Sequence, residues 1–354
     1  MSTTSGFPDM EKFRSKDWRI NHLYKIVDKK SRLRTFKEFG FQKKIRKSPQ
    51  RIKQVLKYRQ GGVTTGCVID MFDDVIWKPN TTAMILAHNK KDLPKIFDKV
   101  KLAHRHMHTK IKPDVGKGGG SKYELQFAEI NSKIYIDIEN RGDTIHRLHV
   151  SEAAFVDPVR LRATLGAVVP HGLITYESTP NGMGNDFYKQ WIKAGSKRAK
   201  LFFPWFIQPE YQLDPSHMTG LTDEEEEFIA KCKKFYGVDI HWGQIAWRRV
   251  QIDEYGEDFW QEFPEDDKTC FLATGACPID QLLVSQLLNE VEEPIEDDGT
   301  LQIYKQYDRN KRYVIGADVA QGVKSDFSVA DVWCIDDNEQ VAQFRSNNIK
   351  PYAF

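Results

Sequence analysis

Apolar residues recur along this chain in two periods, and the switches between them outline its elements. Over residues 9–34, Phe13, Ile20, Leu23, Tyr24 and Val27 stand among charged neighbours at helical spacing, which predicts one or two amphipathic helices. Residues 39–42 read as a turn leading into 43–46. Residues 52–58 form an expected buried strand, broken by Gly61 and Gly62. Thr64 and Thr65 then open an apolar-periodic helix that covers 67–77 and stops ahead of Pro79. A short apolar strand at 82–87 leads to a helix running to about His108, and a Gly-rich loop occupies 112–122. Paired strands follow at 123–128 and 133–138, central ones at 145–150 and 172–177, and another at 200–206. Residues 222–256 predict helix, capped by Thr222 and acidic in the first turn, where negative charge suits the helix dipole. This order indicates an α/β domain with a mostly parallel sheet flanked by helices.

The stretch E-E-P-I-E-D-D-G-T (292–300) is acidic, contains Pro and Gly and has no apolar period, so a linker is expected at 293–300. Beyond it, runs at 301–307, 313–318, 328–334 and 340–344 predict the strands of a separate β-rich unit. The expected organisation is a helical N-terminal region (1–38), an α/β domain with a helical extension (39–292), the linker, and a partial second domain (301–354). No internal repeat is visible.

Composition adds little until its distribution is considered. The chain has 354 residues, 40% hydrophobic and 29% charged, as in ordinary globular domains. No apolar run approaches the roughly 20 residues that span a bilayer, and the N-terminus lacks a signal-peptide pattern. Five scattered cysteines without ligand spacing read as reduced thiols. Net charge is only +2, yet residues 12–59 are strongly basic. Such a segment could track a phosphate backbone or form a solvated helical face.

The candidate chemistry begins at K-Y-R-Q-G-G-V-T-T (57–65). A nucleotide triphosphate requires backbone N–H groups around its phosphates, a helix N-terminus, a cation, and a hydroxyl on Mg2+. Arg59, Gln60, Gly61 and Gly62 supply the turn, and Thr64 and Thr65 the hydroxyls. Val63 stands where the usual lysine precedes the hydroxyl residue, so Lys57 and Arg59 are the expected substitutes. Downstream, I-H-R-L-H-V-S-E is a strand delivering Glu152, a carboxylate able to orient or deprotonate a water. Ser151 holds the place of the aspartate that ordinarily supports the Mg2+ hydration shell. A strand ending in Ser-Glu equally suits a helix cap.

In combination these segments resemble the large subunit of the tailed-phage terminases, the motor that packages DNA. The resemblance runs from about Phe39 to the end of the chain. Residues 57–65 are similar to that family's deviant phosphate loop, and Gln42 to its adenine-reading glutamine. Residues 145–155 resemble a Ser-Glu variant of its second nucleotide motif. Arg141 lies where the family carries a finger that reaches a neighbouring subunit. Y-E-S-T-P-N-G (176–182), with Ser178, Thr179 and Asn181, is similar to its coupling motif. E-F-P-E-D-D-K-T-C-F-L-A-T-G (262–275) resembles the exit from its motor domain, and the segment holding Asp318 and Asp326 the first strand of an RNase H-like nuclease.

The resemblance implies a P-loop ATPase of the additional-strand class with ATP and Mg2+ as cofactors. It also implies Mg2+ or Mn2+ at a nuclease site with Asp318 as first ligand and Asp326 assisting. The implied partners are double-stranded phage DNA, the portal protein and a small terminase subunit. The implied assembly is a homo-oligomeric ring, a pentamer when docked, with an isolated chain that is monomeric and a feeble ATPase. The implied setting is the host cytoplasm and, transiently, the portal vertex, with no membrane. Two-metal cutting needs a cluster of carboxylates, and one strand-end aspartate is too few, so this chain is expected to cut DNA poorly or not at all.

Other features carry blander readings. His104 and His108 share a helical face without a third ligand and read as solvated surface. Lys112, Lys117 and Lys122 flank the Gly-rich loop and could grip DNA or tip a soluble hairpin. Trp205, Trp242, Trp247 and Trp260 read as packing residues. Two rival functions remain. One is a degenerate nucleotide fold that docks to DNA or portal without turnover, suggested by Val63 and Ser151. The other is a helicase-like remodeller, for which further nucleic-acid motifs are missing.

Overall fold

The computed structural model describes residues 10–116, 118–140, 142–193, 195, 197–271, 293–320 and 326–354. They divide into two compact units, one on each side of the stretch 272–292 that lies outside the described residues.

Unit 1 opens with α1 (Met10–Arg14) and α2 (Lys16–His22), then a hairpin of β1 (Lys25–Val27) and β2 (Leu33–Thr35). Helix therefore covers only part of the 9–34 stretch. Asp28 Oδ1 accepts the backbone N–H groups of Lys30 and Arg32, both at 2.9 Å, and this side-chain turn reverses the chain. The turn expected at 39–42 belongs instead to α3 (Gly40–Lys47), because Gln42 Oε1 accepts the Phe39 N–H at 2.8 Å and closes the first helical turn.

Next come β3 (Ile52–Lys57), α4 (Val63–Trp77), β4 (Thr82–Ala87), α5 (Leu93–Arg105), β5 (Glu124–Phe127), β6 (Ser132–Asp137) and β7 (Ile145–Ser151). They are followed by α6 (Pro158–Gly166), β8 (Val168–Ser178), α7 (Asp186–Ile192), β9 (Arg198–Phe203), α8 (Asp223–Tyr236) and α9 (Trp242–Tyr255). The helical stretch expected at 222–256 is two helices. Gly237 takes the left-handed conformation (φ 66°) and its N–H closes on Lys233 O, which ends α8.

Seven strands form one sheet in the order β5-β6-β4-β7-β8-β3-β9, parallel throughout except for the antiparallel pair of β5 and β6. Side chains alternate between its two faces. On β4, Ala83, Ile85 and Ala87 join the core with α4 and α5, while Met84 and Leu86 join the opposite core with α6 and α7. A third core packs β9 against α8 and α9 around Trp205, Phe206 and Ile245.

The central strands depart from this apolar pattern on one face. Lys53, Lys57, Arg147, His149, Ser151, Thr175 and Glu177 all belong to β3, β7 and β8 and all are buried. Helix α4 answers with buried acids. Asp70 lies 2.6 Å from Lys16 Nζ and 2.5 Å from Arg147 Nη2, and Asp74 also pairs with Arg147 and with Lys16. Asp73 receives Arg19 Nε at 3.0 Å, Arg19 Nη2 at 2.8 Å and the Tyr24 hydroxyl at 2.6 Å.

Two side-chain expectations are corrected. His104 is buried rather than solvated, packed between Phe72 and Phe127, with Nε2 2.9 Å from Pro113 O. Trp242 is 46% exposed and so is not a core residue, unlike Trp205 and Trp247. Among the described residues Cys67, Cys232, Cys270 and Cys334 are buried free thiols, and no helix is long and apolar enough to cross a membrane.

Unit 2 is an antiparallel sheet in the order β10-β11-β14-β13-β12. Its strands are β10 (Glu296–Asp297), β11 (Leu301–Ile303), β12 (Tyr313–Asp318), β13 (Ser328–Cys334) and β14 (Glu339–Ser346). Two residues of the expected linker, Glu296 and Asp297, are thus a strand.

Asp73 fastens the N-terminal helices to α4. Asp73→Ala leaves the buried Arg19 charge unpaired and should cost about 3–5 kcal/mol, read as a lower urea midpoint. Asp73→Asn should cost less, and an unchanged midpoint for the alanine variant would contradict the assignment.

Candidate nucleotide site

Three parallel strands, β7, β8 and β3, lie side by side and end at the same edge of the sheet, where ligands collect in open α/β folds. Strand β3 runs into the turn of Arg59 to Gly62 and then directly into α4. That turn needs two left-handed residues, Gln60 (φ 58°) and Gly62 (φ 82°). Gly61 is required for space, since a Cβ there would sit 2.7 Å from Tyr58 Cζ, part of a fully buried ring. Val63, at the usual lysine position, is buried in the core.

Lys57 ends β3 with its side chain 6% exposed. Its Nζ lies 2.6 Å from Glu152 Oε1 and 3.4 Å from Glu177 Oε2. Burial works against the Lys57 charge, but the Glu177 and Glu152 carboxylates outweigh it and hold the ammonium well above the usual lysine range. Glu177 Oε1 accepts the hydroxyls of Thr64 at 2.8 Å and Ser151 at 2.9 Å. His149 Nε2 stands 3.4 Å from the same oxygen. Burial pushes the Glu177 carboxyl up, yet Lys57, His149 and the Thr64 hydroxyl together hold it well below the ordinary glutamate range.

Glu152 leaves β7 in the left-handed conformation (φ 51°), a strained state for a residue with a side chain. That conformation turns its carboxylate back toward Lys57. Its Oε2 is approached by Thr179 N at 3.4 Å and Ser178 Oγ at 3.5 Å, so the segment 176–182 touches it directly. Asn181 Nδ2 donates to Ala154 O at 3.2 Å, and Ala154 N donates to Ser178 Oγ at 3.2 Å, fastening that segment to the chain after Glu152. Burial raises the Glu152 carboxyl above its ordinary value; Lys57 lowers it in part and Glu177 raises it further.

The two cations named from the sequence are placed differently. Lys57 is engaged with two carboxylates. Arg59 is 51% exposed on the turn, with Nη1 3.1 Å from Glu262 Oε2. Gln42 also has partners already: Nε2 donates to Gly62 O at 2.8 Å while Oε1 holds Phe39 N, so it clips α3 to the loop. Thr65 follows Thr64 in the first turn of α4, half-buried.

Arg141, Lys117 and residues 272–275 of the exit motif lie outside the described residues. In unit 2, Asp318 ends β12, exposed, and Asp326 lies in a bend ahead of β13. Among the described residues no group of three or more His, Cys, Asp or Glu side chains is arranged to hold a metal by itself. Glu177 and His149 were absent from the site read in the sequence. The available signal was that T-Y-E-S, like H-V-S-E, is a strand ending in a carboxylate.

No family model matches this chain, and no curated protein matches it. Solved structures do. The chain is similar to the large terminase ATPase domain of Thermus phage P74-26, with 15% identity and a TM-score of 0.42, covering 65% of this chain and 94% of that one. It is also similar to the large terminase of a thermophilic bacteriophage, with 12% identity and a TM-score of 0.41, covering 87% of this chain and 67% of that one. A structure of the latter in complex with ATP-γ-S shares 12% identity and gives a TM-score of 0.39, over 86% and 67% of the two chains. Overlaps this partial leave the chemistry to the side chains of the present chain.

Proposed function

We propose that unit 1 is an ATP-hydrolysing motor of the terminase type that moves double-stranded DNA. The observation that carries this reading is the convergence of Thr64, Lys57 and Glu152 at one edge of a parallel sheet, beside a glycine turn that opens a helix. Backbone N–H groups of the turn and the N-terminus of α4 suit a triphosphate. Arg59, exposed on the turn and paired at its rim with Glu262, is the cation that meets it, because Lys57 is buried between Glu152 and Glu177.

The residues fit a divalent cation as well. Glu177 is a buried carboxylate whose Oε2 faces the Lys57 ammonium at 3.4 Å, and the Thr64 hydroxyl donates to its other oxygen. Thr64 would hold Mg2+, which supplies charge neutralisation at the phosphates. Glu152 orients and deprotonates the attacking water. Its contacts with Thr179 and Ser178 give hydrolysis a route to the coupling segment.

Around this engine we place the finer assignments. Arg141 acts in trans within a homo-oligomeric ring. The portal and a small terminase subunit are docking partners, in the host cytoplasm and at the portal vertex. Unit 2 belongs to a metal-dependent nuclease through Asp318 and Asp326.

Glu152→Gln should keep ATP binding and lower turnover by about two to four decades. As a base, Glu152 works only ionised. Since burial raises its carboxyl, the wild-type rate should fall with falling pH through an inflection above the ordinary glutamate value. Near wild-type hydrolysis by Glu152→Gln would remove Glu152 from the mechanism. Arg59→Ala should weaken ATP binding about tenfold or more, the loss of one charge-assisted contact of roughly 1.5–3 kcal/mol, in a titration with labelled nucleotide. An unchanged affinity would return the phosphate to another cation. In an assembled ring, Arg141→Ala should slow hydrolysis by roughly three to five decades, and wild-type rates there would end its trans role. Absent ATP binding with DNA or portal binding intact would favour the degenerate docking protein that Val63 suggests.

A further inference from the structure

In nucleotide engines of this type the strand that delivers the water-activating glutamate also carries an aspartate just before it, which supports the metal with the loop hydroxyl. Here that residue is Ser151, whose hydroxyl has no charge to offer. We infer that Glu177, on the neighbouring strand β8, takes over that task and is the anionic anchor of the nucleotide's divalent cation. The inference rests on the nucleotide-binding reading of unit 1.

Four observations carry it. Ser151 and Glu177 are direct register partners across the β7 and β8 pair, so the carboxylate sits one strand over from the missing aspartate, at the same height. Ser151 Oγ donates to Glu177 Oε1 at 2.9 Å, which makes the serine a prop for the displaced acid. Thr64 Oγ1, the loop hydroxyl suited to the metal, donates to that same oxygen at 2.8 Å. Finally, Glu177 is fully buried, and its Oε2 faces the Lys57 ammonium at the longer distance of 3.4 Å.

A counter-ion for Lys57 alone would not need this arrangement. Lys57 Nζ is closer to Glu152, at 2.6 Å, than to Glu177, at 3.4 Å. The shorter bonds of Glu177 go to the two hydroxyls, one of them on the phosphate loop. Lys57 and His149 keep the acid ionised in a dry place. Glu177 is thus a positioning residue, acting on the metal through Thr64 and the hydration shell.

The test compares the affinity of the full chain for a fluorescent ATP analogue in excess Mg2+ and in EDTA. Wild type should bind more tightly with Mg2+. In Glu177→Gln that Mg2+ enhancement should shrink about 10–100-fold, as for loss of a supporting partner at a metal site, with the EDTA affinity unchanged. The double variant Ser151→Asp, Glu177→Gln returns the charge to β7, keeps Lys57 neutralised, and should regain the enhancement. If Glu177→Gln does not fold, the double variant decides alone. Wild-type enhancement in Glu177→Gln, no regain in the folded double variant, or wild-type binding indifferent to Mg2+ would each overturn this inference and leave the motor reading standing. No ATP binding by wild type in either condition would overturn both.

Discussion

A lysine ammonium shut inside the sheet edge, with two carboxylates around it, is the constraint on which the site depends. Lys57 and Glu152 sit on strands separated by β8, yet their charged ends lie 2.6 Å apart. Adjacent strands are about 4.8 Å apart, so the contact spans two such steps. It needs the full length of the lysine and the left-handed turn at Glu152 that swings the carboxylate back. Glu177 comes from the strand between them and so faces both. Removing Lys57 would leave the two carboxylates facing each other without their shared cation, and breaking a buried pair in this way costs about 3–5 kcal/mol. Buried ion clusters add little net stability over apolar packing, and their retention here is consistent with chemistry rather than with folding.

The same logic extends beneath α4. A helix that starts a phosphate loop must be held firmly if the loop is to cradle an anion. In this protein the grip is ionic: Asp70, Asp73 and Asp74 reach Lys16, Arg19 and Arg147. Lys16, with burial opposing its charge and Asp70 supporting it, is brought down to about 8. The N-terminal helices are therefore joined to the core of unit 1 rather than loosely appended. The basic character of the first sixty residues is partly spent on these internal pairs, which weakens the case that it tracks DNA.

Much of the architecture was legible because apolar alternation is a local property. Strand β4 was expected and found at 82–87, and β3, β6, β7 and α4 begin or end within a residue or two of expectation. Errors gathered where a polar side chain, not a period, set the boundary. Asp28 turned an expected helix into a hairpin, Gln42 made a helix from an expected turn, and Gly237 cut one helix into two. His104 was misjudged for a related reason. Its spacing put it on a helix face, but only Phe72, Phe127 and Pro113 show that this face is the core.

From residue order alone came the α/β class, the glycine turn with its two hydroxyls, the strand that ends in Glu152, and the likeness to packaging motors. The first three follow from short-range patterns, in which backbone geometry and side-chain type within a dozen residues suffice, and the last from the resemblance of those segments to a known family. That Lys57 is buried between two carboxylates while Arg59 lies exposed beside Glu262, and that Glu177 shares an oxygen with Thr64 and Ser151, could come only from tertiary structure. Lys57, Thr64, Ser151 and Glu177 are spread over more than a hundred residues, and only the order of parallel strands makes them neighbours.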